Sequence, residues 1–192
     1  MDPDAAAVQA SMAEPEQFSV IFERHHRVIW TYLARLAGPD TADDVAGEVF
    51  TVAFGQRERF DPDRGAVRSW LYGIATNILH TRLRSEARAR RAFARAAAAP
   101  PAIDDMTAVD EASATADEAR RVQAALGRLS RDDRELIVLR AWEQLSYADI
   151  AETLGVPIGT VRSRLSRARG RLGELLDTDG ELSENPTDQE VL

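Results

Sequence analysis

The sequence predicts an all-α protein of two small helical domains joined by a flexible acidic linker, and three observations predict it. Apolar residues recur at steps of three and four, in segments that open on capping residues and close on glycine or proline. Charge is segregated: residues 18–95 hold 13 arginines against 9 acids, and residues 120–176 hold 11 against 7. The stretches before, between and after these blocks contain acids and no basic residue. The middle one, residues 96–119, is Ala, Pro and Asp/Glu with almost no large apolar side chain, so it cannot bury enough surface to pack.

The 192 residues suffice for two small domains, and the net charge of −8 conceals two basic blocks strung on acidic connectors. With no cysteine the chain has no disulfide framework, thiol nucleophile or zinc-thiolate site. No run approaches the roughly 18 apolar residues of a membrane span. The start Met1-Asp2-Pro3-Asp4 is unlike a signal peptide, so the expected location is the cytoplasm, without direct membrane insertion. No Walker loop, HExxH, nucleophile elbow or dinucleotide fingerprint occurs, so neither an enzyme, a cofactor nor a small-molecule substrate is expected. His25 and His26 are adjacent and point about 100° apart on a helix, which prevents them from sharing a metal; His80 has no evident partner in sequence.

Residues 1–15 lack periodicity and read as a disordered acidic arm. The first domain, 16–95, opens with a helix on Phe18, Ile21, Phe22, Ile29, Tyr32, Leu33 and Leu36 that Gly38-Pro39 stops. Thr41 and Asp44 form a capping-box pattern for a second helix with Val45, Val49, Phe50 and Ala53 inward. Asp43, Asp44, Gly47 and Glu48 stay outside, as a solvated surface or as a docking face for a basic partner. A loop from Gln56 to Gly65 precedes a long helix whose inward residues are Val67, Trp70, Leu71, Ile74, Ala75, Ile78 and Leu79. Its stripe fades into Arg82, Arg84, Arg88, Arg90, Arg91 and Arg95, a basic extension of the kind that follows a phosphate backbone. Extended at about 3.4 Å per residue, the linker 96–119 reaches roughly 80 Å and permits the two basic blocks to sit far apart.

The second domain, 120–176, begins with a helix on Val122, Ala125, Leu126 and Leu129, and Ser130 caps the next, whose apolar side is Leu136, Ile137, Leu139 and Trp142. Ser146 and Asp149 form a capping box for a short helix that Gly155 ends, and Pro157 starts another. In this last helix Val161, Leu165, Ala168, Leu172 and Leu175 make one apolar stripe. Gly159, Ser163, Ser166, Arg167 and Gly170 occupy the opposite face, with Thr160 and Arg162 on its shoulders. A helix this lean and basic fits the major groove of DNA, where arginine pairs bidentately with guanine or grips phosphates. Short helix, tight glycine turn and basic second helix together make a helix-turn-helix signal. The acidic tail 177–192 is expected to be mobile.

Three stretches resemble the extracytoplasmic-function group of the sigma-70 family of bacterial RNA polymerase sigma factors. Ala42-Asp43-Asp44-Val45-Ala46-Gly47-Glu48-Val49-Phe50 is similar to the family's core-polymerase-binding helix. Phe60-Asp61-Pro62-Asp63-Arg64-Gly65 with Trp70-Leu71-Tyr72-Gly73-Ile74-Ala75-Thr76-Asn77 resembles its minus-10 loop and helix. Leu129 with Arg134, Leu139-Arg140, then Leu145 to Ala151 and Gly159 to Arg169 are similar to its minus-35 domain. Gly47 departs from the usual glutamine and Ser130 from the usual proline.

The resemblance implies a protein that binds the clamp coiled coil and flap of core polymerase, recognises both promoter elements and promotes melting. It assigns minus-35 contact to Gly159, Thr160, Arg162, Ser163, Ser166 and Arg167. Minus-10 contact falls to Arg57, Arg59, Phe60, Arg64, Asn77, Arg82, Arg84, Arg88, Arg90 and Arg91, and polymerase contact to Asp43, Asp44, Gly47 and Glu48. Trp70 and Tyr72 are candidate melting aromatics, although Trp70 sits on the apolar stripe, where core packing is the stronger expectation. By the same resemblance the linker acids Asp104, Asp105, Asp110 and Glu111 imitate phosphates in a polymerase channel; a soluble tether explains them equally well. An anti-sigma factor is a candidate partner. The rival reading is a stand-alone helix-turn-helix regulator.

Overall fold

The computed structural model describes residues 2–97 and 114–183, which form eight α-helices, with no strand among the described residues. The linker acids Asp104, Asp105, Asp110 and Glu111 lie outside the described residues.

The chain begins with α1 (Pro3–Ala10), where a disordered arm was expected. Asp2 caps its N-terminus, Ala5 and Val8 are buried, and Asp4 accepts hydrogen bonds from Arg24 (2.6 Å) and His25 (2.7 Å) of the next helix. Burial works against the Asp4 carboxylate, but those two partners outweigh it and hold its pKa below the usual value. Two buried apolar residues and the contacts of Asp4 with Arg24 and His25 suffice to order a segment whose composition alone argues for disorder.

Helix α2 (Ser19–Ala37) buries Ile21, Ile29, Tyr32, Leu33 and Leu36, and Gly38 ends it with φ of 84°. That glycine also serves as the N-cap of α3 (Pro39–Gln56), which begins two residues before Thr41. The expected capping box at Thr41 and Asp44 is therefore absent as a start signal: Pro39 is pre-organised for a first turn and takes that role. A 3₁₀ turn (Arg57–Arg59) leads through the loop to α4 (Val67–Ala97), which closes the N-terminal module.

The C-terminal module holds α5 (Ala114–Arg128), α6 (Arg131–Ile137), α7 (Tyr147–Leu154) and α8 (Ile158–Ser183). Ser130 caps α6 by accepting from the Asp133 amide at 3.3 Å. Arg134 then donates to the carbonyls of Leu126 (2.8 Å) and Gly127 (2.7 Å), ending α5 with a cation as the helix dipole favours. A π turn (Val138–Trp142) follows α6, with the Glu143 amide donating to the Val138 carbonyl at 3.1 Å. Trp142, expected on the apolar side, lies at the surface under the Arg35 guanidinium, 5.7 Å from its ring centroid, while Val138 and Glu143 are buried. Helix α8 runs past residue 176 to Ser183, so the first part of the expected mobile tail is helical.

The two modules do not stand apart as the linker length permits. Helix α7 lies on the N-terminal half of α4, and the end of α6 with its π turn meets α2. Among the described residues one continuous core runs through both modules, from Ala5 to Ala168.

Candidate nucleic-acid interface

The helix-turn-helix geometry follows from local sequence. Ser146 accepts from the Asp149 amide and Asp149 accepts from the Ser146 amide, both at 3.1 Å, completing the expected capping box. Gly155 leaves α7 in the left-handed region, with φ of 63°. Val161, Leu165 and Ala168 are buried, and Arg164 and Arg171 reach Asp132 and Asp133 of α6, which fixes the rotation of α8. Gly159, Arg162, Ser163, Ser166 and Arg167 are consequently exposed in one row, with Thr160 half-buried at its start. Arg167 donates to the Ser163 carbonyl (3.3 Å) and Arg162 stands 6.0 Å from the Tyr147 ring centroid.

The N-terminal candidates divide into an exposed group and a partly buried one. Arg59, Arg64, Asn77, Arg84, Arg88, Arg90 and Arg91 are exposed. Arg57 is half-buried: it donates to the carbonyls of Phe54 (2.7 Å) and Ser11 (3.4 Å) and lies 4.0 Å from the Phe54 ring centroid, so it anchors the loop. Phe60 is half-buried against Trp70, ring centroids 5.2 Å apart, and Trp70 joins the core rim as its stripe position implies. Arg82 binds Asp44 and Glu86, tying α4 to α3.

On α3, Asp43, Asp44, Gly47 and Glu48 are exposed along one face. Trp30 donates its indole N–H to Asp43 at 2.7 Å, and Asp44 accepts from Arg82. Among the described residues no group of His, Asp and Glu has the arrangement of a metal site, and no helix is long and apolar enough to cross a membrane.

A second group escaped the sequence reading. Glu135 and Glu143 of the C-terminal module are both buried, at 2% and 4% exposure. Glu135 accepts from Tyr32 (2.9 Å) and lies 3.3 Å from His80, which supplies the partner that sequence left unassigned. Glu143 accepts from Arg35 (3.0 Å), Arg68 (3.1 Å) and Tyr72. Tyr72 is thus fully buried between the modules and bonded to Glu143, and not an open melting aromatic. The glutamate on His80 raises the imidazole pKa against the opposing effect of burial. Burial, then the adjoining carboxylates, raise both phenols. Glu143 lies seven residues after Leu136 and four after Leu139, so a carboxylate on an apolar stripe was the available signal.

The sigma-70 region 2 family model matches residues 21–89, and the sigma-70 region 4 model matches residues 119–172. The chain belongs to the extracytoplasmic-function branch of the sigma-70 family. It is 37% identical over 177 residues to the sigma factor SigM of Mycobacterium tuberculosis, covering 90% of this chain and 84% of that protein. It is 34% identical over 194 residues to the sigma factor CnrH of Cupriavidus metallidurans, covering 94% of this chain and all of that one. Its structure resembles the sigma factor RpoE in complex with the anti-sigma factor NepR from Bartonella quintana, with a TM-score of 0.73 and 27% identity over 85% of this chain and 99% of that one. This sigma factor is a regulatory subunit of transcription initiation, of a family that binds RNA polymerase core and promoter DNA, and nothing supports a stand-alone regulator. The region 2 match falls within the N-terminal module and the region 4 match within the C-terminal one.

Proposed function

We propose that α8 of this sigma factor reads the minus-35 element through Gly159, Thr160, Arg162, Ser163, Ser166 and Arg167, the glycine and serines permitting close approach and the arginines pairing with bases or phosphates. The exposed row of small and basic residues on a helix clamped by Arg164 and Arg171 carries this reading. The loop from Arg57 to Arg64 and helix α4 engage the minus-10 element. Arg59 and Arg64 attract the strand, Phe60 at the loop edge offers a stacking surface, and Asn77, Arg84, Arg88, Arg90 and Arg91 follow the backbone. Arg57 and Arg82 hold the loop and the helix in place. Capturing a base must offset an unstacking cost of a few kcal/mol, which stacking and phosphate contacts together supply.

Glu48 and Gly47 with the outer edges of Asp43 and Asp44 form the polymerase-docking face, acidic as a basic partner requires. The flap is the second polymerase contact and belongs to the C-terminal module. The solved relatives bound to the anti-sigma factors NepR and CnrY favour an anti-sigma partner here too. Working on polymerase places the protein in the cytoplasm. Run-off transcription with core polymerase tests the reading: specific initiation should require this chain, and a core that initiates equally well without it refutes the proposal.

A further inference from the structure

Glu143 is held in an unusual way for a structural carboxylate. Two guanidinium groups and a phenol hydroxyl from three different turns of the N-terminal module converge on its two oxygens, Arg35 on one and Arg68 with Tyr72 on the other. Its side chain is only 5% exposed, whereas Arg35 and Arg68 keep 33% and 39% of theirs in contact with solvent. A buried anion ringed by half-exposed cations is also the geometry by which proteins hold a phosphate, for which forked guanidinium donors are suited.

The receptor is built largely without its present occupant. Arg68 donates to the Tyr72 hydroxyl through two nitrogens, at 3.2 and 3.3 Å, one helical turn along α4. Tyr72 is fixed in turn by edge contact with Tyr32, ring centroids 4.9 Å apart. Arg35 leans on the C-terminal module through Trp142, and Tyr32 does so through Glu135. The surroundings also matter. Helix α7 covers the same half of α4, with Thr153 donating to the Ser69 carbonyl at 3.3 Å, and Glu152 stands 3.9 Å from Arg64 in the loop. The compact state therefore places carboxylates of the C-terminal module on cations beside the proposed minus-10 surface.

We propose that Arg35, Arg68 and Tyr72 form an anion site of the N-terminal module that Glu143 fills in the compact state and a promoter backbone phosphate fills once the modules part. Glu143 then competes with DNA from within the chain. Because the competitor is tethered, it acts at high effective concentration and is displaced when polymerase spreads the modules over their separate sites. This deepens the promoter-binding reading and rests on it.

The test measures binding of a labelled minus-10 fork DNA between 50 and 200 mM salt, to the free full-length chain and to its complex with core polymerase. Glu143→Gln keeps a hydrogen-bond acceptor and removes the charge; it should tighten DNA binding by the free chain at least threefold and change the polymerase complex little. Replacing Arg35→Gln together with Arg68→Gln should flatten the salt slope of the polymerase complex by about 1, the value of one phosphate contact, so that the loss across this salt range shrinks roughly threefold. Melting curves check that each variant is folded; should the double variant unfold, Arg68→Gln alone must flatten the slope. Wild-type slope in a folded arginine variant, or unchanged DNA binding by free Glu143→Gln, overturns the proposal. Arg167→Ala is measured alongside on DNA carrying both elements: if it weakens binding while the Arg35 and Arg68 variants do not, only the phosphate site fails. If even the wild-type complex shows no promoter preference, the promoter reading itself fails.

Discussion

Arg162 and Arg167 project from a helix whose rotation is fixed by the buried Val161, Leu165 and Ala168 and by the Arg164 and Arg171 ion pairs, so replacing either removes a contact without reorienting the rest. Arg162→Ala or Arg167→Ala is expected to weaken minus-35 binding by about 1–3 kcal/mol where the contact is a bidentate base pairing, read by gel shift of the polymerase complex on matched and mismatched elements. Arg88 and Arg91 lie on the unpacked end of α4; alanine at both should lower affinity for every sequence alike and reduce the salt slope. Tyr32 has a different job. Its hydroxyl bridges Thr76 (2.7 Å) and Glu135 (2.9 Å) in a buried site. Tyr32→Phe leaves Glu135 with one donor fewer and is expected to cost about 1–3 kcal/mol in urea unfolding.

At the scale of elements, α7 is eight residues long and depends on its ends. Ser146→Ala removes one half of the capping box and should destabilise the protein by about 0.5–2 kcal/mol, measured by thermal or urea unfolding. The contact of α7 with α4 has its own determinant. A Cβ at Gly73 would stand 3.5 Å from the Thr153 carbonyl oxygen, an ordinary contact, so alanine fits there and a longer side chain would be driven into α7. Gly73→Ala should leave the compact state intact, and the bulkier Gly73→Leu should part the modules, seen as a larger radius of gyration in solution scattering. Helix α1 shows how little order needs: its buried Val8 and the Asp4 contacts with Arg24 and His25 are few, but they fall on α2, whose Ile21, Ile29 and Leu33 are buried in the core.

The whole molecule couples these elements through Glu135 and Glu143, and this coupling responds to pH. His80 has its pKa raised by Glu135, with Asp132 adding to the effect and Arg131 opposing it. A raised pKa means that the charged pair stabilises the folded, compact state fully below the unfolded histidine value of about 6.5 and that this contribution is lost as pH rises through the folded value. Compactness, followed by energy transfer between dyes on the two modules, should therefore decline on raising the pH from 6 toward 8. His80→Asn should flatten that decline; an equally steep profile in the variant would assign the pH response to another group.

The sequence by itself determined the eight-helix order apart from α1, the helix-turn-helix with its capping box and glycine turn, and the exposed row from Gly159 to Arg167. Each of these rests on interactions within a few residues, where periodicity and capping chemistry decide the outcome. It left the positions of Glu135, Glu143, Tyr72 and His80 undecided, because their partners are distant in sequence: Tyr32 and Glu135 are separated by 103 residues, Arg35 and Glu143 by 108. The tertiary structure alone decided that the two basic modules close on one another. Such closure depends on matching two surfaces, each of which is complete only after its own helices have packed.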